Sequence, residues 1–176
     1  MLTIAEIDGI CEGSGGLLHK AVFPGLYARR TLYISERVKQ FITATAPGLD
    51  VKMRGRWLTA RAVLENFVDG KRMTIKSKPK SKAEIGILCP HKDGIFEFRD
   101  VNPKPSVRIL GSFTEKDVFI ALAPYKRSEL GKKGSQGWTI ALHNYKAQWA
   151  ALFKGHQPMS EGRFPDDYVS LARHLD

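Results

Sequence analysis

The chain has 176 residues, of which 43% are hydrophobic, and a formal net charge of +10. This length suits one globular domain with a buried core and is too short for two large ones. No apolar run approaches the roughly 18 to 20 residues that span a bilayer, and residues 1–20 lack the features of a signal peptide. We therefore expect a cytoplasmic protein with no membrane contact.

The two cysteines, Cys11 and Cys89, lie far apart in the sequence and match no metal-binding spacing. We expect both to be buried free thiols in a reducing compartment. No other metal or cofactor motif is present, so we expect neither a metal nor a cofactor.

The positive charge is concentrated in one part of the chain. Residues 1–19 carry a net charge of −3 and residues 20–82 a net charge of +11, whereas residues 135–176 are neutral overall. A concentrated positive field attracts polyphosphates, so RNA or DNA is the expected partner. A basic surface that serves only solubility is the alternative.

The first 32 residues form an N-terminal extension without a clear periodic pattern. The stretch "CEGSGGLLHK" is rich in glycine but lacks the spacing of a phosphate-binding loop, so it is predicted to be an ordinary loop. Two helices are predicted next. The first begins after Ser35, a good N-cap, and ends at "APG"; the second contains Trp57 and Val68 and ends at Asp69 and Gly70. Because a short turn joins them, they form a predicted helical hairpin.

Residues 71–82 are rich in lysine and almost free of apolar side chains, so they are predicted to be an exposed linker. A short strand is predicted in "EIGILCP". Residues 95–101, 107–113 and 118–123 then form three predicted strands, and their short connections favour an antiparallel meander.

The C-terminal segment begins with the clearest amphipathic helix, residues 138–153, whose apolar stripe includes Trp138, Tyr145 and Trp149. A short last helix is predicted in "DDYVSLARHL". The predicted fold class is α+β: a helical hairpin on a small antiparallel meander, with extra C-terminal helices. The predicted parts are an extension (1–32), an α+β core (33–134) and a helical segment packed on the core (135–176).

Three short patterns in the predicted strands resemble the RelE/HigB-like toxin superfamily and its phage relatives over residues 33–130. They are "EFR" at Glu97 to Arg99, "RIL" at Arg108 to Leu110, and the end of the third strand with Leu122, Tyr125, Lys126 and Arg127.

The resemblance implies a metal-independent endoribonuclease, in which the ribose 2′-OH attacks the adjacent phosphorus. Arg99 and Arg108 would stabilise the phosphoryl charge, and Tyr125 or Lys126 would transfer the proton. A ribosome and a cognate antitoxin protein are the partners that such a toxin implies. The alternative for both arginines is exposed pairing with Glu97 or other acids of the sheet.

Two further functions remain open. The first is a non-catalytic DNA- or RNA-binding protein that uses the basic face of residues 20–82, and the second is a protein-interaction module of a phage or mobile element. The residues expected to contact nucleic acid are all basic: Lys52, Arg54, Arg56, Arg61 and Arg127.

Overall fold

The computed structural model describes residues 2–76, 83–88, 90–100, 104–160, 165–171 and 173–174. Its centre is an eight-stranded mixed sheet with the strand order β1-β2-β7-β6-β5-β4-β3-β8. The strands are β1 (Leu18–Lys20), β2 (Thr31–Ser35), β3 (Thr74–Lys76), β4 (Ile85–Ile87), β5 (Phe96–Asp100), β6 (Val107–Glu115), β7 (Val118–Lys126) and β8 (Arg173–His174).

Both antiparallel and parallel pairings build this sheet. Strands β4, β5, β6 and β7 are consecutive antiparallel neighbours, and β1 is antiparallel to β2. In contrast, β2 lies parallel to β7, and β3 lies parallel to both β4 and β8. The parallel β2–β7 pair joins the N-terminal part of the chain to the central meander.

Six helices accompany the sheet in the described part of the chain. They are α1 (Ile4–Gly13), α2 (Glu36–Ile42), α3 (Val51–Val68), α4 (Arg127–Leu130), α5 (Gln136–Leu152) and α6 (Pro165–Tyr168). Side-chain caps fix several of their starts: Thr3 forms a capping box with Glu6 before α1, Ser35 caps α2, and Asp50 caps α3. Each cap satisfies a backbone N–H that the helix leaves without a partner.

Side chains alternate along the strands, so apolar residues lie on both faces of the sheet. Helices cover both faces. Helices α2 and α3 pack on one face, where Phe67 of α3 meets Phe98 of β5 with ring centroids 5.5 Å apart. Helices α1, α4 and α5 pack on the other face, where the hydroxyl of Tyr145 donates to Ser112 Oγ at 2.6 Å. The molecule is thus a mixed sheet between two helical layers.

The predicted fold class is therefore wrong. The sheet is larger than a small meander and is mixed, because segments outside the meander add β1, β2, β3, β4 and β8. Within it, the prediction that the three central segments form consecutive antiparallel strands is confirmed. The two early helices and the long amphipathic helix are confirmed as well.

Three local predictions also need correction. The glycine-rich stretch predicted as a loop contains the end of α1 and the strand β1. Residues 74–76 of the predicted linker form β3, and residues 77–82 lie outside the described residues. The predicted last helix is limited to Pro165–Tyr168, with β8 following it.

Where the chain is described, it contains no helix of the length and apolarity that crossing a membrane requires. Cys11 is a half-buried free thiol, and burial raises its pKa. Cys89 lies outside the described residues.

Candidate nucleic-acid interface

Arg99 and Arg108 lie directly opposite each other on β5 and β6. They share one carboxylate: Arg99 Nη2 lies 2.8 Å from Glu97 Oε1, and Arg108 Nε lies 3.0 Å from Glu97 Oε2. The pairing with Glu97 that the sequence offered as an alternative is present, but it is buried rather than exposed. Two positive charges against one negative charge leave this cluster with a formal net charge of +1.

The burial of this cluster is nearly complete. Arg99 is 6% exposed, Arg108 is 9% exposed and Glu97 is 2% exposed. The guanidinium of Arg99 lies across Gly86 of β4, where a Cβ atom would overlap it. Burial lowers the pKa of Arg108, whereas the neighbouring Glu97 opposes that change.

Tyr125 and Lys126 lie at the end of β7, beside Arg108 and Val107 respectively in the register. Both side chains are half-buried. Burial raises the pKa of the Tyr125 hydroxyl, and the guanidinium of Arg37 lies 5.7 Å from the centre of its ring. Arg99, Arg108 and Tyr125 are therefore neighbours across three strands, and Lys126 follows Tyr125 in β7.

The four cations predicted on α3 do not share a face. At about 100° per residue, Lys52 and Arg56 lie on one side of the helix, and Arg54 and Arg61 lie on the other. Arg56 is 4% exposed and forms a buried ion pair with Asp100. Its Nε also donates to the carbonyl of Pro105 at 2.9 Å.

Arg61 is also engaged within the protein, because its Nε lies 2.8 Å from Glu65 Oε1. Lys52 and Arg54 are exposed. Helix α3 therefore presents two isolated exposed cations instead of a continuous phosphate-binding surface.

A denser group of cations lies at the end of β7 and in the segments beside it. The backbone N–H of Arg127 donates to the carbonyl of Ser106 at 2.9 Å, so the β5–β6 connection lies against the β7–α4 junction. We call the cations of these two segments the basic rim. They are Lys104, Lys126, Arg127, Lys132 and Lys133.

Very little negative charge offsets the basic rim. Residues 104–106 and 126–135 hold these five cations and one acid, Glu129. The carboxylate of Glu129 accepts a hydrogen bond from the backbone N–H of Lys126 at 2.9 Å. Lys104, Lys132 and Lys133 are exposed, whereas Arg127 is half-buried with its guanidinium 5.8 Å from the centre of the Trp138 ring.

Helix α5 begins beside the basic rim. The hydroxyl of its N-cap residue, Ser135, donates a hydrogen bond to the carbonyl oxygen of Leu130 at 2.8 Å. The first turn of α5 therefore has no side-chain cap. The positive end of the helix dipole adds to the field of the lysines that precede it. After burial, Arg127 is one of the smaller causes of the lowered pKa of Arg108, so this rim cation lies within electrostatic reach of the buried cluster.

The structure thus brings together Arg99, Arg108 and Tyr125 on three adjacent strands, and Lys126 and Arg127 follow Tyr125 in the chain. It does not bring Lys52, Arg54, Arg56 and Arg61 together on one surface. Sequence reasoning missed Lys104, Lys132 and Lys133. The run "GKKGS" between two helices could have indicated the two lysines, because a helix N-terminus preceded by lysines is a favourable site for an anion.

The described residues contain no group of three or more His, Cys, Asp and Glu side chains that could hold a metal ion. Fold and site together define a mixed α/β protein with a basic rim at one end of its sheet. No family model matches the chain, and neither a curated protein nor a solved structure is significantly similar to it. The resemblance to RelE/HigB-like toxins stays a prediction.

Proposed function

We propose that the protein binds the phosphate backbone of a nucleic acid through the basic rim, without catalysis. The observation that carries this proposal is that two segments that lie against each other at one end of the sheet hold five cations and one carboxylate. Cations that neutralise phosphates release condensed counterions, and this release drives binding whatever the base sequence.

The buried arginines support the same proposal in a different role. With Arg99 and Arg108 sharing Glu97, a net positive charge lies beneath the rim. Charge inside the protein is screened less by salt than charge on the surface. The cluster therefore adds to the attraction of a polyanion while the rim makes the contacts.

The first experiment compares two double variants with equal changes of net charge. Lys132→Gln with Lys133→Gln removes two rim cations, and Lys116→Gln with Lys154→Gln removes two exposed cations away from the rim. At about 0.1 M salt, the rim variant should bind single-stranded RNA and duplex DNA at least about tenfold more weakly than the wild type. The control variant should lose much less affinity.

Equal losses of affinity in both variants would mean that binding depends on the overall charge of the protein and not on the basic rim. Full affinity in the rim variant would overturn the proposed interface. Fluorescence anisotropy with labelled oligonucleotides measures both affinities.

A second candidate function is the metal-independent endoribonuclease of the toxin type. One observation favours it: Arg99, Arg108 and Tyr125 lie side by side on three adjacent strands, with Lys126 next to them. Each arginine is more than nine-tenths buried, so a phosphodiester would have to displace Glu97 in order to reach both. The ribosome and an antitoxin protein are partners only under this candidate.

The test of the second candidate uses long RNA and translating ribosomes with a chelator present. Tyr125→Phe and Lys126→Gln are the informative variants, because these half-buried side chains can change with little effect on folding. Cleavage that leaves 2′,3′-cyclic phosphate ends and falls about a hundredfold in one variant would support the enzyme. Absence of cleavage by the wild-type protein would exclude it and leave the binding function.

A further inference from the structure

A cavity of about 300 Å³ lies at the start of β5, at the end of the strand that is farther from the basic rim. It is bounded by α5, by residues 155–158 and by the turn at His91–Asp93 that precedes β5. This volume is at the lower end of the range of small-molecule sites, about 300 to 1,000 Å³. The site is separate from the interface proposed above.

The walls of the cavity are held in place by the backbone. The indole N–H of Trp149 donates to the carbonyl of His156 at 2.8 Å, and the N–H of Met159 donates to the carbonyl of Phe113 at 2.8 Å. Gly94 has a φ of 60°, and a Cβ atom there would lie 2.6 Å from the carbonyl of Met159. The cavity is therefore formed before any ligand enters it.

The interior of the cavity is aromatic and apolar. Ile95, Tyr145 and Trp149 line it, and each is at most 4% exposed. Trp149 stacks in a tilted arrangement against Phe153, with ring centroids 4.5 Å apart, which fixes its orientation. These side chains form a rigid floor of the cavity, of which only a small area is open to a ligand.

The mouth of the cavity carries positive charge. Lys92 and Lys146 both border it, and Lys146 Nζ lies 2.6 Å from Asp93 Oδ2. Two lysines against one aspartate give a formal net charge of +1. His156 borders the cavity as well.

We infer that this cavity binds a small ligand with a planar aromatic ring and one carboxylate or phosphate group. The ring would lie against Trp149 and Tyr145, and the anion would contact Lys92 and Lys146. A nucleoside monophosphate and an aromatic carboxylate both have this chemistry.

Isothermal titration calorimetry with four probes tests the inference. Adenosine 5′-monophosphate and 4-hydroxybenzoate carry both the ring and the anion, and adenosine and 4-hydroxybenzyl alcohol carry the ring alone. At least one anion should bind, and it should bind at least about tenfold more tightly than its neutral counterpart. Whichever anion binds more tightly identifies the source of the ligand.

Two matched pairs of variants locate the binding. Ala150→Phe places a ring at the exposed mouth of the cavity, where it would obstruct entry, whereas Ala147→Phe places the same ring at an exposed position outside the cavity. Lys92→Gln and Lys154→Gln change the net charge equally, but only the former alters the cavity. Ala150→Phe should abolish binding, and Lys92→Gln should weaken it severalfold more than its control.

Three results would overturn the inference: no binding of either anion at millimolar concentration, equal affinity for charged and neutral probes, or full binding by the folded Ala150→Phe variant. Circular dichroism of each variant establishes that it is folded. Because Lys92 and Ala150 line the cavity and do not belong to the basic rim, the effects of their variants on probe binding are independent of nucleic-acid binding at the rim.

Discussion

At the scale of single residues, Gly86 determines how the buried arginine cluster is accommodated. Any side chain at this position would occupy the space of the Arg99 guanidinium. Gly86→Ala should push Arg99 away from Glu97 and reduce the free energy of unfolding by about 1–3 kcal/mol, a typical cost of overpacking. Chemical denaturation measures this change.

The control for this substitution is Gly55→Ala. Gly55 lies within α3 at an exposed position, and a Cβ atom there would meet nothing within 4 Å. Alanine is the better helix former by about 0.8–1 kcal/mol, so this variant should be more stable than the wild type. An unchanged or increased stability of Gly86→Ala would contradict the packing described for Arg99.

The pKa of Asp8 tests the contribution of a single hydrogen bond to the pH dependence of stability. The hydroxyl of Tyr33 donates to Asp8 Oδ1 at 2.7 Å, and this bond is the largest single cause of the lowered pKa of Asp8; a hydrogen bond and a Coulomb attraction from Lys20 lower it further. A lowered pKa in the folded state stabilises the protein above the ordinary value of 3.8, and this contribution is lost as the pH falls through the folded-state pKa.

Tyr33→Phe should therefore raise the pKa of Asp8 toward its ordinary value and reduce the loss of stability in acid. Lys20→Gln should raise the same pKa as well. NMR titration of the Asp8 carboxyl group measures both changes, and an unchanged pKa of Asp8 in Tyr33→Phe would contradict the assignment.

At the scale of elements, α5 is attached to the sheet by more than apolar packing. The Tyr145 hydroxyl donates to Ser112 Oγ, and Ser112 is 0% exposed. Tyr145→Phe removes the donor and leaves a buried hydroxyl with one partner fewer, which should cost about 1–3 kcal/mol of stability. Tyr27→Phe is the control, because Tyr27 is 81% exposed and should change stability by less than about 0.5 kcal/mol.

The outcome is read from thermal or chemical unfolding of the two variants. Equal stabilities would contradict a contribution of this hydrogen bond to the attachment of α5.

The elements that the sequence predicts well are those whose patterns are local. Helices α3 and α5 repeat apolar residues at helical spacing over 18 and 17 residues, and β5, β6 and β7 are joined by short connections. Strand β2 was missed because "TLYIS" runs directly into α2, and its partner β7 is more than eighty residues away. Strands β3 and β8 are too short to carry a pattern, so their pairing depends on the rest of the sheet.

The candidate site was predictable in part for the same reason. Alternation along two strands predicts that Arg99 and Arg108 can share one face, and the register places them opposite each other. Their burial depends on which other segments cover that face, and a local sequence pattern does not predict those segments. The same is true of Arg56, whose partner Asp100 is distant in the sequence and adjacent in space.

At the scale of the whole molecule, net charge and charge placement lead to different expectations. The sequence concentrates positive charge in residues 20–82, but α3 presents only two isolated exposed cations, since Arg56 and Arg61 are paired. The basic rim comes from residues that are distant in the sequence and meet where β5, β6 and β7 end together. The fold therefore determines where exposed positive charge is concentrated.

The dependence of nucleic-acid affinity on salt tests the central claim most directly. If up to five rim cations contact phosphates of duplex DNA, log Kobs should fall linearly with log salt with a slope of about −3 to −5. The variant with Lys132→Gln and Lys133→Gln should flatten this slope by about two, whereas the variant with Lys116→Gln and Lys154→Gln should retain it. A slope near zero, or one that the rim variant leaves unchanged, would contradict phosphate binding at the rim.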